Sequence, residues 1–251
     1  TATLTIAGQS PDWLVQFFNV DSGQPVSWVL ARRQGAGVSV PLPLFEGSIA
    51  FQMRPAPSFS IPNRGGLSST TARAPGATVV GYGRVQANTG SATPSGLAIF
   101  SFRQNDVLVT EAAVPASPLI RSGRIYAEVN GPVDTGVAIA NPNAQTAHIS
   151  FSFTDANGQE FGRGTTSVPA SGQIAAFLDQ SPFNGGSSVI GTFTFNSDVP
   201  VAAVALRGFT NERSEFLITT LPVAPLTGIR DTVVFPHFAD GGGWTTQIGL
   251  V

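Results

Sequence analysis

Residues 124–158 read RIYAEVNGPVDTGVAIANPNAQTAHISFSFTDANG, and they decide the fold. Residues 148–154 put Ile149, Phe151 and Phe153 on one face and His148, Ser150 and Ser152 on the other. That period of two marks a half-buried strand. Asp155-Ala-Asn-Gly158 follows as a hairpin turn. Upstream, 124–130 and 135–140 read as two further strands. Asn141-Pro142 closes the second, because proline has no N–H to give to a central ladder.

Working outward, short strands continue at 165–169, 173–177, 189–196, 201–209 and 215–220. A brief 3₁₀ turn is expected over 177–183, and Ser197-Asp-Val-Pro200 is read as a break between two strands. Many short strands separated by turn residues over 120–226 fit an immunoglobulin-like β-sandwich.

The same pattern occurs twice. Ala98-Ile-Phe-Ser-Phe102 and its continuation Pro115-Ala-Ser-Pro118-Leu119 match Ala205-Leu-Arg-Gly-Phe209 and Pro222-Val-Ala-Pro225-Leu226 at a constant offset of 107 residues. Val79-Val-Gly-Tyr-Gly-Arg-Val85 parallels Val189-Ile-Gly-Thr-Phe-Thr-Phe195, and residues 14–24 parallel 148–159. A first module is therefore expected over 1–119, with residues 1–7 as one edge strand and Pro55–Thr71 as a surface loop. It carries the later strands of the pattern but not its opening pair.

The opening pair reappears after residue 226. Residues 118–126 match 225–234 with one insertion, and Thr135-Gly-Val-Ala-Ile-Ala140 matches Thr246-Gln-Ile-Gly-Leu-Val251. The linker between the two tail strands is read as three residues longer and carries Gly241-Gly-Gly243. The expected fold is all-β: two tandem immunoglobulin-like β-sandwiches, 1–119 and 120–226, plus a C-terminal donor strand segment at 227–251. The tail offers Val233, Phe235, Phe238, Trp244, Ile248 and Leu250 as a donor face, with Gly241, Gly242 and Gly243 as a hinge. The acceptor core is expected around Val15, Phe17, Val79, Gly81, Val85 and Ile99.

Composition agrees with this punctuation. Hydrophobic residues make up 42% and charged residues only 11%, while Gly (28) and Pro (19) are spread along the chain. Eighteen Phe residues supply core-forming bulk, which argues against disorder. Net charge is −2 without blocks of like charge, and every basic residue is Arg. Clustered cations for nucleic acid are missing, and lysine chemistry is excluded. With no Cys, disulfides and thiolate metal sites are excluded as well. The sequence contains no signal peptide and no apolar run long enough for a spanning helix. Low charge with many Ser and Thr leads us to expect an extracellular or cell-surface location.

The combination of VFPHFADGGGWTTQIGLV, SGLAIFSFR, GVAIANP and NERSEFLITT resembles secreted bacterial proteins built from tandem immunoglobulin-like β-sandwich modules. The resemblance is clearest over 75–251. It implies an extracellular or cell-surface location and no particular activity. In those proteins the FPHFADGGGWTTQ segment looks like the start of a module.

Motifs for chemistry are scarce. His148 alternates with core residues and reads as a solvent-facing strand residue; His237, between Pro236 and Phe238, reads as a hydrogen-bonded junction residue. A two-histidine metal site would need carboxylates from elsewhere in the chain. No GxSxG elbow, HExxH, Walker loop or dinucleotide fingerprint occurs. Gly241-Gly-Gly243 precedes no helix and is no phosphate loop. Asp155-Ala-Asn-Gly158 lacks the distal ligands of a calcium loop and reads as a turn, and Asp240 alone does not make a calcium site. Trp13, Trp28 and Trp244 would form a sugar platform only if exposed; core or interface anchoring is the commoner use.

The sequence thus leads us to expect no enzyme and no cofactor. It points to a structural subunit that polymerises head-to-tail with itself, its C-terminal strands entering the N-terminal module of a neighbour. The alternative is a secreted adhesin or carbohydrate-binding module with the tail folded back on its own first module. A third option is a segment of a longer tandem array.

Overall fold

In the computed structural model, the backbone is described for residues 2–4, 12–19, 25–34, 37–40, 49–55, 59–70, 80–226 and 232–251. Side chains are described for 59–70, 80–226 and 232–251. Every regular element among these residues is a strand, as the alternating patterns and frequent turn residues imply. The chain divides into two compact units, Thr1–Gly81 and Tyr82–Val251.

The first unit holds β1 (Ala2–Leu4), β2 (Asp12–Asn19), β3 (Pro25–Gln34), β4 (Gly37–Val40) and β5 (Ile49–Pro55). They form one antiparallel sheet in the order β1-β4-β3-β2-β5. The edge strand expected within residues 1–7 is β1, which among the described residues pairs β4 alone. The expected surface loop is described over 59–70, where no strand forms and most residues are exposed.

An irregular segment runs from the end of the first unit into the start of the second. Residues 80–85, expected as a strand, belong to none, and Val80 and Val85 are exposed. Next come β6 (Leu97–Gln104) and β7 (Val107–Pro115), an antiparallel hairpin turned at Asn105 and Asp106, both with positive φ. The remaining strands are β8 (Ile120–Asn130), β9 (Val133–Ala140), β10 (Ala147–Asp155), β11 (Glu160–Val168), β12 (Gln173–Phe177), β13 (Val189–Thr210) and β14 (Phe216–Leu221).

Strand β13 joins two layers. Its first half, 189–197, lies between β8 and β10, with β11 beyond β10. Its second half, 202–210, pairs β9 and β14, with β12 beyond β9. The result is one antiparallel sheet curled into a sandwich-like fold, β11-β10-β13-β8 facing β12-β9-β13-β14. Ser197-Asp-Val-Pro200, expected to separate two strands, is instead where one strand changes layers. The register shifts between Asn196 and Val201. Val199 stays buried, so the chain remains extended through the step. Pro200 falls where the ladder is interrupted and its missing N–H costs little. The 3₁₀ turn expected over 177–183 is a succession of turns without a 3₁₀ helix.

The interior comes from inward positions of both layers. Ile125, Val137, Ile139, Ile149, Phe153, Phe193 and Phe195 are essentially inaccessible. Phe151, Phe153, Phe183 and Phe193 meet edge-on or stacked at ring separations of 5.2–6.1 Å. Such pairs add about 0.5–1.5 kcal/mol each beyond area burial. Two glycines make room: a Cβ at Gly164 would come 2.5 Å from the Phe151 ring, and one at Gly191 would strike the Thr154 carbonyl.

Asn141, read from sequence as a strand terminus, is fully buried. Its Nδ2 lies 2.7 Å from the Gln145 carbonyl and 3.0 Å from those of Val168 and Pro169. Its Oδ1 accepts from the N and Nδ2 of Asn143, whose Nδ2 also donates to the Pro200 carbonyl. Asn141 thereby ties the end of β9 to the end of β11 and, through the Asn143 side chain, to the layer step in β13.

Candidate assembly interface

The tail, 232–251, contains no strand. Val233, Phe235, Phe238, Trp244, Ile248 and Leu250 are 66%, 49%, 69%, 70%, 56% and 75% exposed. Six large apolar side chains in water across 18 residues form the sort of surface that marks an interaction site. Their full burial at roughly 1.5–3 kcal/mol each would supply on the order of 10 kcal/mol before ordering costs.

The tip of this tail is ordered. Gly241 and Trp244 exchange both backbone hydrogen bonds at 3.1 Å. Gly241, Gly242 and Gly243 have φ of 86°, 61° and 91°, a left-handed run that side chains rarely adopt. The expected hinge is thus a tight turn. Thr246 Oγ1 donates to the Ala239 carbonyl at 2.7 Å and accepts from its N–H at 3.0 Å.

This clasp has a counterpart at the tip of β8–β9. Thr135 Oγ1 donates to the Glu128 carbonyl at 3.0 Å and accepts from its N–H at 2.9 Å. Asn130 pairs Val133 there as Gly241 pairs Trp244 in the tail. All four correspondences share an offset of 111 residues. The linker read as three residues longer therefore has the same length, and the extra residues fall earlier, in Phe235-Pro-His-Phe238. Sequence matching placed Thr246 on Thr135, but the clasp that makes this threonine matter was not legible.

Beyond the tip, Gln247 hydrogen-bonds the Tyr126 phenol, and Gly249 packs against its ring. Burial, followed by the Glu128 carboxylate, holds the Tyr126 phenol above its usual range. Arg207 Nη2 lies 3.8 Å from Glu128 Oε2 beside it.

A second apolar surface is the β6–β7 hairpin. All eight residues of β6 are exposed, including Leu97, Ile99, Phe100 and Phe102. β7 lies along β14, where Thr110 Oγ1 accepts from the Ile218 N–H at 3.0 Å. β6 has no second strand partner among the described residues. Such an edge is a template for another strand.

The expected acceptor residues divide between the units. Val15 and Phe17 lie on β2, their side chains outside the described residues, as is Val79 altogether. Gly81 ends the first unit. Val85 is exposed outside any strand, and Ile99 is exposed on β6.

The remaining candidates are structural. The His148 side chain is exposed, and the backbone N–H of His148 donates to Asp198 Oδ1 at 2.8 Å; His237 is exposed. Asp155 Oδ1 accepts from the N–H groups of Asn157 and Gln159, both at 2.8 Å, which holds its carboxyl below the usual range. It closes a turn. Among the described residues no three His, Asp or Glu side chains gather as a metal site would require. Asp134 and Asp179 do meet beside Pro132 and Gln180, a pairing the sequence did not reveal. Burial, and then the Asp179 charge, push the Asp134 carboxyl up to about 6.

No known protein family matches the chain, and no curated protein matches it. Among solved structures it is similar to a Thermotoga maritima protein designated 1070, at 15% identity and a TM-score of 0.35, over 41% of this chain and 92% of that one. It is also similar to the Anabaena sensory rhodopsin transducer, at 18% identity and a TM-score of 0.31, over 36% of this chain and 98% of that one.

Proposed function

We propose that this chain is a structural subunit of an extracellular filament or surface assembly. The subunit polymerises head-to-tail by donating its C-terminal strands to the N-terminal module, 1–119, of a neighbouring copy. The proposal includes two tandem immunoglobulin-like modules, the first completed by the neighbour's tail. One observation carries the reading: the tail folds its tip as a β-hairpin turn yet leaves six large apolar side chains and both arms without a ladder. A strand pair formed at its tip and unpaired along its arms suits insertion into a partner sheet, where backbone bonds give affinity and alternate side chains give specificity. A head-to-tail contact need not close and so extends into a fibre.

Deleting 232–251 provides the test. Full-length protein is expected to form extended assemblies by negative-stain microscopy, and the deletion variant only monomers. Identical assemblies from both would defeat the reading. Exposure of Trp244 supports a second reading, an adhesin or carbohydrate-binding module. In that case the native protein is monomeric, and glycan-array binding disappears in Trp244→Ala.

A further inference from the structure

We infer that the acceptor for the tail is the open edge of β6 in a second copy, in a register the chain itself specifies. The inference rests on the polymerisation reading and adds the site and the pairing.

Two hairpins share one register. β13 pairs β14 with Ala205 opposite Leu221 and Phe209 opposite Leu217. β6 pairs β7 with Ala98 opposite Val114 and Phe102 opposite Thr110. Each residue of one set lies 107 positions before its counterpart in the other, so β6–β7 repeats the β13–β14 ladder residue for residue up to Phe102. The hairpins differ at their other edge. There β13 carries β9, with Phe209 opposite Val133, Arg207 opposite Thr135, Ala205 opposite Val137 and Ala203 opposite Ile139. The corresponding edge of β6 is unpaired among the described residues.

The tail supplies a copy of β9. Its tip reproduces the β8–β9 tip at an offset of 111, which places Trp244 at Val133, Thr246 at Thr135, Ile248 at Val137 and Leu250 at Ile139. Applying both offsets to the β13–β9 ladder gives the new one. Trp244 faces Phe102, Thr246 faces Phe100, Ile248 faces Ala98 and Leu250 faces Gly96. The sizes complement each other on this face, with the large tail residues Ile248 and Leu250 opposite small ones. It is also the face that β9 turns inward, since Val133, Thr135, Val137 and Ile139 are all buried. The chain's own tail is engaged elsewhere, with Gln247 and Gly249 against Tyr126 on β8. Among the described residues the tail and the β6 edge do not pair within one chain, and the occupant assigned to that edge is the tail of a second copy.

The chain has no cysteine, so any disulfide joins introduced residues. One protein carrying Ile99→Cys is mixed with another carrying Gln247→Cys, and Ala98→Cys with Ile248→Cys, under mild oxidation. Adjacent antiparallel pairs alternate between wide and close Cα spacing, so one of the two combinations is at close spacing. Linked peptides identified by mass are expected to show that in-register disulfide between chains, at least tenfold above the mispaired control Ile99→Cys with Leu250→Cys. All five sites are exposed, so folding is not at stake. Assemblies that form without preference for the in-register pairs would overturn the register while leaving tail-driven polymerisation standing. A disulfide found only within chains of the double variant Ile99→Cys/Gln247→Cys, never between mixed single variants, would overturn the second copy. Absence of both cross-link and assembly would overturn the polymerisation reading as well.

Discussion

At the scale of single residues, Asn141 makes the clearest prediction. Its amide is inaccessible and serves three carbonyls from two segments, so truncation leaves buried acceptors without donors. Such losses cost about 1–3 kcal/mol. Asn141→Ala is expected to lower the urea midpoint accordingly without changing the slope of the transition; an unchanged midpoint would show the network to be dispensable. Asp134 makes a prediction about pH. Its folded-state pKa of about 6 exceeds the ordinary 3.8, so the folded protein binds the proton more tightly than the unfolded chain. Its contribution is therefore fully present below about pH 4 and is lost as pH rises to about 6. Solvent screening limits the effect to roughly 1 kcal/mol. The stability difference between wild type and Asp134→Asn should shift in that window, the variant gaining relative to wild type as pH rises. A difference constant across the window would contradict this account.

At the scale of elements, the Thr246 clasp is open to a direct test. Thr246→Val keeps the shape of the side chain and removes two hydrogen bonds to Ala239. With about 1 kcal/mol lost, amide exchange at Ala239 and Trp244 should rise roughly fivefold, while exchange in β10 stays unchanged. No change at Ala239 would mean that the tip is held by the glycine turn alone. The strands themselves were largely legible. The Ile149-Phe151-Phe153 alternation, the Asp155 turn and the Asn141-Pro142 stop each act through neighbours in sequence, and β8 to β12 follow them. What depends on distant partners was not legible. Pro200 looked like a break because sequence shows its missing N–H but not the layer change that accommodates it. The stretch after Val79 resembles that after Val189, yet residues 80–85 have no ladder. Asp134 and Asp179 meet only because β9 and the turns after β12 are brought together by the ladder of Gly136 with Phe177.

At the scale of the whole molecule, an internal repeat connects the parts. The β13–β14 hairpin is sheltered by β9 on one edge, and the β6–β7 hairpin repeats it with that edge open. The tail repeats the β8–β9 tip with its arms exposed. These two surfaces account for most of the large apolar side chains left in water in Tyr82–Val251. Sequence matching found the repeat and pointed to the tail as a donor segment, but matching residue types cannot show which strand edge is free. The central claim is that the tail holds copies together. Sedimentation velocity across a range of concentrations tests it most directly. The account expects full-length protein to form species larger than monomer that grow with concentration, and protein lacking 232–251 to sediment as monomer throughout. A single monomeric species for the full-length chain at every concentration, unchanged by the deletion, would contradict it.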